Sequence, residues 1–146
     1  MFRLLVALDF SDCSRLALET ALSIVHRATP AQLVVMTVLE RAGSDENGAL
    51  DQVERSISDL SKLVETELNA HHGGKLPDGV TAHYTAQRGA PADEIVRAAA
   101  THHVDAIVLG THGRTGLNRL FVGSVAESVV RTAPCTVVTV KPRKTG

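Results

Sequence analysis

The chain has 146 residues, 44% of them hydrophobic, and a mean hydropathy of +0.07, a length and apolar content suited to one packed domain and incompatible with a disordered chain. Fifteen Lys and Arg stand against sixteen Asp and Glu, a net charge of -1, so no global positive field gathers nucleic acid or anionic lipid. Aromatic residues make up 3% with no Trp, which leaves little surface for stacking bases and reinforces the expectation of no nucleic-acid partner.

The first apolar run, Arg3 to Leu8, reads as a strand that ends in Asp9. Asp9 breaks the run before it reaches the length of a signal-peptide core, and no later run approaches a membrane span, so the expectation is a cytoplasmic protein with no membrane partner. Asp9 to Asp12 carries turn and N-cap residues, and apolar positions from Leu16 to Val25 then recur at helical spacing until Pro30. Gln32 to Val38 is a continuous β-branched run, expected of a strand covered on both faces. Glu40 to Gly48 is polar, and from Leu50 the positions Val53, Ile57, Leu60, Val64 and Leu68 mark an amphipathic helix. His71 to Gly79 ends it.

Val80 to Ala86 forms a weaker third strand, and Gly89-Ala90-Pro91 opens a third helix with Asp93 and Glu94 at its positive end, running to about His102. Asp105 to Leu109 is a fourth strand, Gly123 to about Thr132 a fourth helix and Cys135 to Val140 a fifth strand. Five strands alternating with four helices predict an open, doubly wound α/β fold with a parallel sheet, as a single domain over residues 1–146.

The chemistry-bearing segment follows the fourth strand: Gly110, Gly113, Gly116 and Gly123 crowd a turn that leads into the last helix. Glycine lacks a Cβ and tolerates positive φ, so successive amides are free to converge on one anion. The helix start near Gly123, with the Ser124 hydroxyl, adds donors and a favourable dipole for phosphate, and Arg114 adds a mobile positive charge. A Walker-type Gly-Lys-Ser/Thr ending and a Gly-x-Gly-x-x-Gly after the first strand are both missing from the sequence, which disfavours P-loop hydrolysis and ordinary dinucleotide binding.

Gly110, Gly113, Gly123 and Ser124 together make Gly-x2-Gly-x9-Gly-Ser, and in this the chain resembles the ATP-binding type of the universal stress protein family. The opening strand with Asp9, the apolar second strand, the Gly-x-Pro opening and the closing strand extend the resemblance over nearly the whole chain. It implies strand order 3-2-1-4-5, an adenine nucleotide alpha hydrolase-like arrangement, and ATP as ligand with Mg. It also implies a nucleotide site made by Ala7, Leu8, Asp9, Val38, Leu109, Gly110, Thr111, Gly113, Arg114, Gly123, Ser124 and Val125. In that site Asp9 holds the adenosine end or a Mg ion, backbone at Val38 meets adenine, and the glycine segment takes ribose and phosphates. The implied order puts its reversal between strands one and four, where ligands of open α/β sheets bind.

Plainer readings stand beside these. Asp9 also fits a strand-ending or capping carboxylate. His71-His72 and His102-His103 sit on expected helix ends and are disfavoured as metal ligands, and His112 has no nucleophile or carboxylate beside it in sequence to make it catalytic. Cys13 and Cys135 fit no metal or redox spacing and read as reduced, buried thiols. The last strand is expected at a sheet edge, and the resemblance implies a homodimer through residues 135–141. The functional expectation is a regulatory or stress-response module that binds adenine nucleotide with little or no turnover. The alternative is a slow nucleotide hydrolase or phosphotransferase on the same fold.

Overall fold

The computed structural model describes residues 1–40, 46–112 and 123–142. Nine elements follow in order: β1 (Phe2–Ala7), α1 (Asp12–Arg27), β2 (Ala31–Leu39), α2 (Glu46–His71), β3 (Val80–Arg88), α3 (Pro91–Thr101), β4 (Ala106–Gly110), α4 (Ser124–Thr132) and β5 (Thr136–Val140). The strands form one five-stranded sheet in the order β3-β2-β1-β4-β5, with every pairing parallel. This is the doubly wound arrangement expected from the alternation of strands and helices.

The continuous apolar runs are explained by alternation across a sheet buried on both sides. Leu4, Val6, Leu33, Val35 and Val108 face α1 and α2, where they meet Leu18, Leu22, Leu60 and Val64. Leu5, Val34, Met36, Ile107 and Leu109 face α3 and α4, where they meet Ile95, Ala98, Ala126 and Val129. Right-handed crossovers that move outward in one direction from β1 and then in the other place the helices on opposite faces. The winding reverses between β1 and β4, and the carboxyl ends of those two strands diverge there to leave a crevice.

The cap of α1 falls within Asp9 to Asp12 as expected, at Ser11, whose Oγ accepts from the Ser14 amide at 3.1 Å. Other boundaries differ from the sequence reading. Helix α2 begins at Glu46, so 46–48 are helical and not loop. Leu50 is not a core position but 74% exposed, while Leu60 and Val64 are buried. The reason is length: 26 residues of helix extend about 39 Å, against about 30 Å for the nine-residue strands beneath. Strand β3 runs two residues further than its apolar content suggests, paired with β2 as far as Leu39 and Arg88; its mixed burial follows from lying at one edge. Strand β5 lies at the other edge. Both cysteines are free thiols; Cys13 is buried, but Cys135 is only half-buried, because it precedes an edge strand.

Candidate functional site

A cleft opens over the carboxyl ends of β1, β2 and β4. From β1 and the turn after it come Ala7, Leu8 and Asp9; from β2, Val38; from β4, Leu109 and Gly110, continued by Thr111; and from the start of α4, Gly123, Ser124 and Val125. Ten of the twelve residues expected at the site therefore line one cleft. Gly113 and Arg114 lie outside the described residues.

The β1 end is held by the backbone and by Asp9. The Leu8 amide continues the pairing with β2 by donating to Met36 O at 2.8 Å. Asp9 Oδ1 accepts from the Ser11 amide at 3.0 Å, and the Asp9 amide donates to Ser14 Oγ at 3.3 Å. Asp9 thus shapes the entry to α1 while also facing the cleft.

The opposite side is built by close approach. A Cβ on Gly110 would stand 2.7 Å from Cys13 Sγ and 3.1 Å from the Cys13 backbone, so only glycine lets the end of β4 pack on the first turn of α1. A Cβ on Gly123 would stand 2.7 Å from Thr111 O, which accepts from the Gly123 amide at 2.6 Å. Gly123 has φ −61°, and Gly110 is not among the positive-φ glycines. What these two glycines supply is the missing side chain and not an unusual backbone angle, which corrects part of the sequence argument.

Gly123 is also the N-cap of α4 and offers no side-chain cap, so the first-turn amides and the helix dipole open toward the cleft, an arrangement suited to an anion. No Lys or Arg stands among the described lining residues; among them, the positive partial charges come from the first-turn amides of α4. The other flank is apolar: Ala7, Val38, Leu109 and Ala126 are joined by Pro91 and Ile95. An apolar slot beside a helix N-terminus suits a flat heteroaromatic ring carrying phosphate.

Pro91, Ile95, Ser14, His112 and Ala126 line the cleft without having been selected for the site from the sequence. Pro91 and Ile95 open α3, and the Gly-x-Pro opening was the available signal for them. His112 is buried and bonded through Nδ1 to Thr111 Oγ1 at 2.8 Å. The remaining histidine pairs stand away from the cleft: His26 and His72 stack with ring centroids 4.2 Å apart, and His83 lies 5.2 Å from His102. Among the described residues, no three His, Cys, Asp or Glu side chains are grouped to hold a metal ion. No described helix is long and apolar enough to cross a membrane.

This architecture recurs in solved structures. UspA from Lactobacillus plantarum superposes with a TM-score of 0.77 at 25% identity, covering 96% of this chain and 97% of that one. A universal stress protein from Archaeoglobus fulgidus in complex with dAMP superposes with a TM-score of 0.67 at 21% identity, covering 97% and 98%. In sequence, universal stress protein MJ0531 of Methanocaldococcus jannaschii is 31% identical over 146 residues, 97% of this chain and 83% of that protein. The family model for the universal stress proteins matches residues 1–141, and the chain therefore belongs to the universal stress protein family.

Proposed function

We propose that the cleft binds ATP or a related adenine nucleotide and that the chain is a nucleotide-dependent regulatory or stress-response module with little or no turnover. The observation that carries this reading is one cleft uniting an apolar slot between Val38, Pro91 and Ile95 with the uncapped N-terminus of α4. The base lies in the slot, and the phosphates lie against Gly110, Thr111, Gly123, Ser124 and Val125, with Gly113 and Arg114 completing that end. The Archaeoglobus fulgidus relative in complex with dAMP supports an adenine nucleotide as the ligand class.

The residues present fit Mg only as a partner of the phosphates. Asp9 is one carboxylate with one oxygen already accepting an amide, and Mg at nucleotide sites is commonly held by one or two carboxylates together with phosphate oxygens and water. Such an ion would neutralise phosphate charge; the chain's own part is to orient the base and supply amides. The chain acts in the cytoplasm as a homodimer, formed by pairing the exposed edge of β5, residues 135–141, with its own copy across a two-fold axis.

Calorimetric titration with ATP and Mg tests the proposal. One nucleotide per chain is expected; no heat, together with no competition at millimolar ATP, would overturn it. Nucleotide is expected back intact after hours of incubation, whereas several turnovers per minute would establish the hydrolase or phosphotransferase reading instead.

A further inference from the structure

We propose that Thr111 and His112 form a positioning pair that sets the neck of the phosphate loop, so that their hydrogen bond governs affinity for phosphate and not for the base. The proposal rests on the nucleotide reading and adds to it two residues that act at the phosphate end of the cleft and not at the base.

Thr111 is 2% exposed, and the chain itself uses each of its polar groups. Its amide donates to Val140 O at 2.9 Å, which ties the neck to the last residue of β5. Its carbonyl accepts the Gly123 amide, which joins the two ends of the segment 112–122. Its hydroxyl meets His112 Nδ1. From the far side the Cys13 thiol donates to the same Val140 carbonyl at 3.2 Å, and Gly110 seats against Cys13. The neck is therefore fixed to β5, α1 and α4 at once.

Fixing it matters because separate amides act on one anion only when they point at one place. Holding Gly123 against Thr111 aims the first turn of α4 at the point where the chain leaves β4. The hydroxyl-to-imidazole bond restrains the orientation of His112, a buried ring that lines the cleft. Breaking it removes a hydrogen bond between two buried side chains and loosens the neck. Val38 of β2 and Pro91 and Ile95 of α3, between which the base lies, belong to elements that carry no part of this bond.

Thr111→Val keeps both backbone bonds and the side-chain shape but removes the hydroxyl. His112→Asn places an amide where Nδ1 stood; His112→Gln places it where Nε2 stood. ATP is expected to bind about tenfold more weakly to Thr111→Val and His112→Gln, and near normally to His112→Asn. Adenosine is expected to bind all three as it binds the unaltered chain. Parallel loss of ATP and adenosine, normal ATP affinity in Thr111→Val, or rescue by Gln in place of Asn would each overturn the proposal.

Hydrogen exchange at the Gly123 amide gives a readout that needs no nucleotide. Thr111→Val is expected to exchange there faster than the unaltered chain while core amides of β1 and β4 keep their protection, and unchanged Gly123 protection would refute the pair's hold on the neck. If the unaltered chain bound neither adenosine nor ATP, the nucleotide reading would fail; this exchange result would still decide the role of the pair.

Discussion

Gly123→Ala tests whether close approach, and not backbone freedom, is what the end of the glycine segment provides. The new Cβ would sit 2.7 Å from Thr111 O, whereas carbon-to-carbonyl-oxygen contacts usually lie at about 3.3–3.6 Å. Relief requires the neck to open by more than half an ångström or so, which lengthens and weakens the Gly123-to-Thr111 hydrogen bond, a bond worth about 0.5–1.5 kcal/mol net. Alanine also serves less well than glycine at an N-cap, and overpacking a close site typically costs about 1–3 kcal/mol. These terms describe one strained contact and overlap, so the loss is about 1–3 kcal/mol, which for a domain of this length lowers Tm by about 2–12 °C. Thermal melts by circular dichroism, with and without ATP, measure both effects. Saturating ATP at 100 times Kd stabilises the unaltered chain by about 2.7 kcal/mol, and that protection is expected to vanish in the variant. A Tm within one degree of the unaltered chain, or retained protection by ATP, would refute the reasoning.

Other perturbations separate the parts of the molecule. Val38→Trp fills the apolar slot and should abolish adenosine and ATP binding alike without changing the circular dichroism spectrum; retained adenosine binding in calorimetry would place the base elsewhere. On the β5 edge, Thr139→Asp sets like charges near each other across the proposed two-fold pairing, so sedimentation should give a monomer; an unchanged dimer mass would assign assembly to another surface. The histidine pairs predict a stability that declines in mild acid. Burial, then the neighbouring rings of His26 and His71, hold the His72 imidazole below its ordinary value against the opposing pull of Glu67 and Glu19. Burial and His83 do the same to His102. With folded-state values below the unfolded value of about 6.5, the unfolded chain binds more protons in the interval. This contribution is complete above about pH 6.5 and is lost as pH falls from there through the lowered values. Urea midpoints should drop between about pH 7.5 and pH 5.5, and drop less in His72→Gln; an equal drop in both would exclude His72 as a cause.

What the sequence by itself determined is local and periodic. The runs Arg3–Leu8, Gln32–Val38 and Asp105–Leu109 are apolar without alternation because each strand is buried on both faces, and that pattern alone calls for a parallel sheet between helix layers. The resemblance carried by the glycine spacing from Gly110 to Gly123 and by Asp9 named ten of the fifteen residues that line the cleft, which lies where the strands end and the winding reverses.

The tertiary structure decided what depends on elements distant in the chain. Leu50 fits the helical period of α2, yet only the sheet's length shows that its turn overhangs the core. Pro91 and Ile95 enter the cleft because α3 packs beside the end of β2, a neighbour relation set by crossover direction and not by spacing. Gly110 looks like a phosphate residue in sequence, but its lack of a side chain is required by Cys13, nearly a hundred positions earlier. The bonds from Thr111 and Cys13 to Val140 likewise join three segments that no local pattern relates. Periodicity reports which face of an element is buried; which atoms of another element meet that face is settled only when the sheet has been wound.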